Sequence, residues 1–170
     1  MTAKAATERA LDRYRPNVGI VLARPDGQVW LGRRAGAQGP RSWQFPQGGV
    51  DRGESLDAAA RRELKEETGA HSVTLLARTA DWICYEFPPG HGRRGLKRWI
   101  GQKQIWFLFR FDGSDSEIDI TAHHPPEFEA WRWVAADEAP QLVVAFKLGA
   151  YQTMLAELGP EIRKLSGVVG

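Results

Sequence analysis

The stretch from Gly48 to Ala70, GGVDRGESLDAAARRELKEETGA, constrains this chain more than any other. Ser55 suits a helix N-cap, Asp57 the first turn, and Gly69 the position just past a helix C-terminus. Between them, Leu56 to Thr68 holds no glycine or proline and few β-branched residues, so the spacing predicts a helix there. At about 100° per residue, Leu56, Ala59, Ala60 and Leu64 define its apolar side. Glu63 and Glu67 project within roughly 20° of Leu56, and Glu66 flanks the same side, whereas Arg61 and Lys65 point away. Carboxylates at i, i+3 and i+4 repel by about 0.2–0.5 kcal/mol per pair. The helix dipole disfavours anions in the last turns by roughly 0.3–1 kcal/mol each. A helix selected for stability alone would carry lysines there.

Two readings of the acids follow. One is an acidic face turned to solvent, the usual explanation of a Glu-Glu pair. The other is a hard-cation site, because clustered carboxylate oxygens are what Mg²⁺ or Mn²⁺ prefers and the metal relieves their repulsion. Acids that share the core side and break two local rules together favour the second.

The rest of the chain frames this helix. Val18 to Ala23 is a continuous apolar run, as expected of a central strand, and the turn Pro25-Asp26-Gly27 returns it into Gln28 to Arg33. Val73 to Phe87 reads as one or two strands, Ile100 to Phe111 as a long one, and Phe128 to Val134 as another. A last helix is expected over roughly Val144 to Leu158, ending at Gly159-Pro160. Strands around one central helix with a second at the end suit a mixed sheet packed between helices, an α/β architecture. The expected division is a flexible N-terminal extension over 1–13, one domain over 14–158 and a tail over 159–170.

Composition bounds the function. With 170 residues, 42% of them hydrophobic, the chain can bury one proper core. A net charge of +2 is too balanced to mark a nucleic-acid binder by itself, and DNA-specific binding is not expected. The single cysteine, Cys84, allows no internal disulfide and reads as a small strand residue. No apolar run approaches a membrane span and Met1 to Ala10 is polar, so a soluble cytoplasmic protein is expected.

Gly48, five residues, Glu54, seven residues, then Arg62-Glu63-Leu64-Lys65-Glu66-Glu67-Thr68-Gly69 resembles the Nudix box of the Nudix hydrolases. Only Ala70 departs, standing where Ile, Leu or Val is usual. The resemblance implies an α/β/α sandwich with a mixed β-sheet and the loop-helix-loop of the box, spanning about Tyr14 to Leu158. Other stretches are similar to the branch that holds bacterial RNA pyrophosphohydrolases. They are Tyr14 to Gly19, Ser42 to Gly49, Gly101 to Gln104, Pro126-Glu127-Phe128 with Trp131-Arg132-Trp133, and Val143 to Lys147. The closely related diadenosine polyphosphate hydrolases share the lead-in Trp43-Gln44-Phe45-Pro46-Gln47-Gly48-Gly49. The loop Ala35 to Arg41 is longer than its counterpart in the RNA enzymes.

By position, the resemblance implies that Glu63, Glu66 and Glu67 bind metal, Mg²⁺ with Mn²⁺ or another divalent cation as substitute, and that Glu63 is the general base. Glu127 corresponds to a further ligand, or is a plain loop acid. Glu54 and Arg62, eight residues apart on a helical path, read as a structural pair orienting the box loop. Arg15 and Arg34 match phosphate-holding positions, or are ordinary surface charge. A base would rest on Phe146 with Val144 and Lys147, unless Phe146 is core. Tyr85 and Gln104 match substrate-side positions. Arg93, Arg94, Lys97 and Arg98 are either a phosphate-backbone footprint or a solvated charge run.

Three functions stay open on the sequence. They are hydrolysis of 5′-phosphorylated RNA ends to monophosphates, cleavage of dinucleoside polyphosphates such as Ap4A, and non-catalytic binding of nucleotides or RNA. The strained acid cluster speaks against the third. No protein partner is indicated.

Overall fold

The computed structural model describes residues 8–91 and 98–167. Eight strands form one sheet. They are β1 (Tyr14–Ala23), β2 (Val29–Arg34), β3 (Trp43–Gln44), β4 (Gln47–Gly49), β5 (Val73–Arg78), β6 (Ile83–Glu86), β7 (Gly101–Phe111) and β8 (Phe128–Val134). The helices are α1 (Leu56–Thr68), the short α2 (Ala139–Leu142) and α3 (Leu148–Leu165).

The main path through the sheet is β3-β2-β1-β7-β5, with β4 beside β1, β6 beside β7 and β8 beside β2. β1 and β7 run parallel from the Tyr14–Gly101 pair to the Ala23–Arg110 pair, and the other pairings are antiparallel, so the sheet is mixed. Both central strands are buried on both faces, which explains their unbroken apolar runs. Alternation along β7 divides the core. Ile105, Phe107 and Phe109 join Ala59, Ala60 and Leu64 of α1 on one face. Trp106 and Leu108 join Ala150, Tyr151, Met154 and Leu158 of α3 on the other. Gly19 is required at the centre, because a Cβ there would lie 2.4 Å from the Trp106 ring.

Two segments differ from expectation. The last helix neither begins at Val144 nor ends at Gly159-Pro160. Ala145–Lys147 forms a separate 3₁₀ turn, and α3 then runs through Pro160 to Leu165. Pro160 costs a helix interior about 3 kcal/mol. Continuing the helix buries Ile162 in the α3-side core and packs Leu165 against it, which offsets that cost. In the N-terminal extension, residues 8–11 are helical, and the Arg13 carbonyl accepts the Ile100 N–H at 3.0 Å. Val73 to Phe87 resolves into β5 and β6. Among the described residues no helix is long and apolar enough to cross a membrane.

Candidate active site

The box helix starts and stops as its sequence dictates. Ser55 Oγ accepts the Ala58 N–H, and Gly69, at φ +78°, donates its N–H to the Lys65 carbonyl. Ahead of it, Arg62 acts as a clamp. Its Nε donates to Glu54 Oε1 at 2.8 Å, and its Nη2 donates to Glu54 Oε2 and the Gly49 carbonyl, both at 2.9 Å. The expected Glu54–Arg62 pair is in place, and these bonds, with the Asp51 N–H, bring the Glu54 pKa down to about 2. Nη1 of the same guanidinium donates to Glu63 Oε1 at 2.8 Å and to Glu66 Oε2 at 3.4 Å.

Glu63 and Glu67 face a cavity of about 200 Å³ beside β4. Gly48 makes this possible, since a Cβ there would stand 1.9 Å from Glu63 Cδ. Gly49 makes similar room for Arg15, whose Nη2 lies 2.4 Å from where a Cβ would be. Burial raises the Glu63 pKa against the opposing pull of Arg62. Glu67 is raised much further, first by burial and then by the negative charges of Glu127 and Glu63. Against this, the Gln47 N–H donates to Glu67 Oε2 at 3.2 Å.

The cavity has two halves. Glu63, Glu67, Glu127, Arg15 and Arg34 form the charged half. Tyr85, Phe87, His91 and Phe146 form an aromatic wall with Lys147 beneath it. Lys147 is 6% exposed, lies over the Tyr85 and Phe146 rings at 5.5 and 6.0 Å, and donates to Gln44 and Gln47. The floor between the halves is a hydrogen-bonded amide network centred on Gln47.

The structure therefore brings eight of the eleven predicted site residues onto one cavity and leaves three off its lining. Glu66 is one of the three, a third exposed and held by Arg62. Gln104 is fully buried beneath the floor, where its Nε2 donates to Asn17 Oδ1 at 2.7 Å and to Gln47 Oε1 at 3.2 Å. Its bond to Gln47 ties it to the cavity floor. Val144 packs against the α3-side core. Phe146 combines both readings, packing against that core and lining the cavity. Arg93, Arg94 and Lys97 lie outside the described residues, and Arg98 is exposed, 4.2 Å above the Trp99 ring. Sequence reasoning assigned no role to Gln47, Gln102, Phe87 or His91. The turn sequence Pro88-Pro89-Gly90-His91 was the available signal for the last.

Among the described residues no three acids already stand together as a ready-made ligand cluster, and Arg62 engages both Glu63 and Glu66. The donor chemistry nevertheless fits a hard divalent cation. Glu63, Glu67 and Glu127 offer only carboxylate oxygens to one cavity, their charges oppose one another, and Gly48 leaves Glu63 the space to reach in.

A model of the NUDIX domain matches residues 13–154. The chain is 55% identical over 152 residues to an RNA pyrophosphohydrolase of Caulobacter vibrioides, covering 88% of each chain. It is 46% identical over 146 residues to one from Rhodospirillum rubrum, covering 85% of this chain and 87% of the other. Among solved structures, a C. elegans Ap4A hydrolase in a binary complex superposes with a TM-score of 0.61 at 21% identity, over 85% of this chain and 98% of that one. The E. coli dihydroneopterin triphosphate pyrophosphohydrolase gives 0.62 at 23%, over 84% and 98%. The two structures share the fold.

Proposed function

The chain belongs to the Nudix family, and from that premise we propose that it is an RNA 5′-pyrophosphohydrolase, converting 5′-triphosphate or diphosphate RNA ends to 5′-monophosphates. The observation that carries this reading is the 55% identity to an RNA pyrophosphohydrolase across 88% of both chains. The divided cavity supports it, with its charged half suited to the phosphates and its aromatic half to a base. Our reading sets the reaction in a reducing cytoplasm, which the RNA substrate and the single free Cys84 support.

A 5′-polyphosphate enters with its phosphates toward Arg15 and Arg34, whose guanidinium groups neutralise them and fix their position. Glu63, Glu67 and Glu127 would hold a divalent cation, Mg²⁺ in our reading, which when bound supplies charge neutralisation and acidifies water. Glu63 is the general base. Burial raises its pKa above the ordinary carboxylate value, against the pull of Arg62, which makes it a stronger base than a free carboxylate. It takes the proton of the water that attacks phosphorus as the anhydride P–O bond breaks, and the bond's electron pair leaves with the departing phosphate oxygen. Glu67, steadied by the Gln47 N–H, is assigned to holding the cation. Phe146 and Lys147 seat the base, with Lys147 fixed by Gln44 and Gln47.

The test offers 5′-triphosphorylated RNA and Ap4A in parallel with Mg²⁺ and compares kcat/KM. A clear preference for RNA supports the proposal. A preference for Ap4A transfers the site to dinucleoside polyphosphates. Binding without turnover of either makes it a nucleotide-binding domain.

A further inference from the structure

The loop between β2 and β3, residues 35–42, has no part in the reaction proposed above, yet it reaches both halves of the cavity. At its start the Ala35 N–H donates to the Glu127 carbonyl at 2.9 Å, and the preceding Arg34 donates its N–H to the Ser42 carbonyl at 2.9 Å. Arg34 and Glu127 both line the charged half. The chain then doubles back through Gly36 and Gly39, at φ +76° and +84°, a conformation that suits glycine. Ser42 is buried, and its hydroxyl donates to the Gly39 carbonyl at 2.7 Å. The loop is therefore closed on itself, and it sets Arg41 beside α2.

There Arg41 Nη1 donates to the Pro140 carbonyl at 3.3 Å and to the Val143 carbonyl at 3.1 Å. The last carbonyls of a helix lack intrahelical partners, and a cation is favoured beside them. With four residues, α2 is too short to be held by its own bonds. Val143 is followed at once by Val144 and the 3₁₀ turn Ala145–Lys147, which the Lys147 N–H closes on the Val144 carbonyl at 3.0 Å. Phe146 and Lys147, the base seat, thus stand just beyond the carbonyl that Arg41 holds. Arg41 itself is exposed and stands off the cavity lining.

We propose that Arg41 is a positioning residue for the base site: it latches the 35–42 loop onto α2 and so fixes Phe146 and Lys147 relative to the phosphate-holding half. The inference rests on the RNA reading above, which puts the base on Phe146 and Lys147. Because the latch acts through the wall, its loss falls on binding of the base and leaves the chemical step at Glu63 in place.

The experiment compares wild type, Arg41→Ala and Arg41→Lys on a triphosphorylated RNA with Mg²⁺, and on the same RNA with its first two nucleotides abasic. Hydrogen exchange of the backbone amides of residues 143–147 is followed in each protein without substrate. On the intact RNA, Arg41→Ala should raise KM about three- to tenfold, the size of a hydrogen-bond contribution, with kcat within about twofold of wild type. On the abasic RNA its kcat/KM should match wild type within about twofold, because the wall has no base to place. Its amides at 143–147 should exchange at least about threefold faster. Arg41→Lys keeps a cation with donors and should recover most of the KM. An equal penalty on both RNAs means that Arg41 meets the RNA directly and overturns the proposal. So does a change confined to kcat, unchanged exchange at 143–147, or Arg41→Lys no better than Arg41→Ala. A wild type that leaves the intact RNA uncleaved refutes the RNA reading, and the exchange measurement still decides whether Arg41 holds the wall.

Discussion

Gly48→Ala tests whether the room that glycine leaves is what places Glu63. The added Cβ would stand 1.9 Å from Glu63 Cδ and 2.1 and 2.2 Å from its two oxygens. Carbon atoms in ordinary contact are about 3.5–4.0 Å apart, so the carboxylate must withdraw by roughly 1.5–2 Å. The backbone is no obstacle, since Gly48 is not among the glycines with positive φ. The displaced group is the far end of a flexible side chain, and the Arg62–Glu63 bond it gives up is part-exposed, worth at most about 1 kcal/mol. Urea unfolding should therefore register a loss of at most about 1 kcal/mol. Catalysis is far less forgiving, because misplacement by about 1 Å can cost 10²-fold. Hydrolysis of triphosphorylated RNA should accordingly fall by at least about 10² in kcat/KM. Glu63→Gln should fall by a similar factor, and the double variant should be little worse than either, because both remove one function. Activity of Gly48→Ala within about threefold of wild type refutes the reasoning. So does a double variant whose losses multiply.

Two further outcomes follow from the same site. Glu67→Gln should weaken metal use more than chemistry, so excess Mn²⁺ should recover part of the lost turnover; a loss that stays the same at all Mn²⁺ concentrations would remove Glu67 from the metal site. Glu54, whose pKa falls from 4.5 to about 2 through its Arg62 bonds, contributes stability that is fully present above 4.5 and lost as pH drops through about 2. Glu54→Gln should thus be less stable than wild type near neutral pH and show a flatter decline across that acid window, read from urea midpoints; parallel pH curves for the two proteins would rule the linkage out.

The box helix was legible to its ends because everything that fixes it is local. Ser55, Gly69 and the apolar stripe lie within one short stretch, and the observed bounds are those read from the sequence, Leu56 to Thr68. The mixed sheet followed from strand runs of the same local kind. The end of the last helix was not legible, because burial of Ile162 against the α3-side core outweighs Pro160, and that core is assembled from β1, β2, β6 and β7. Gln104 shows the same limit within the site. The pairing of Asn17 with Gln104 and of Tyr85 with Gln102 decides which amide sits beneath the floor and which faces the cavity. The first of these pairings joins segments nearly ninety residues apart in the sequence, beyond the reach of any local pattern.

Glu66 shows why a helical wheel locates an acid without assigning its partner. On the wheel it flanks Glu63 and Glu67, and nothing in the spacing sets it apart. What separates it is the cavity, which Glu63 and Glu67 line and Glu66 does not, although Arg62, fixed by Glu54 and the Gly49 carbonyl, reaches both Glu63 and Glu66 with its remaining nitrogen. The box thus spends its buttressing Arg62 on two of its three acids and leaves Glu67 to the Gln47 N–H and the more distant charge of Lys147. Glu67 is the acid whose charge burial opposes most plainly, with Glu127 and Glu63 pressing on it and Lys147 only partly offsetting them. A divalent cation would relieve that position most. The local cost seen in the sequence, three acids crowded at the wrong end of a helix, is concentrated by the fold onto one carboxylate.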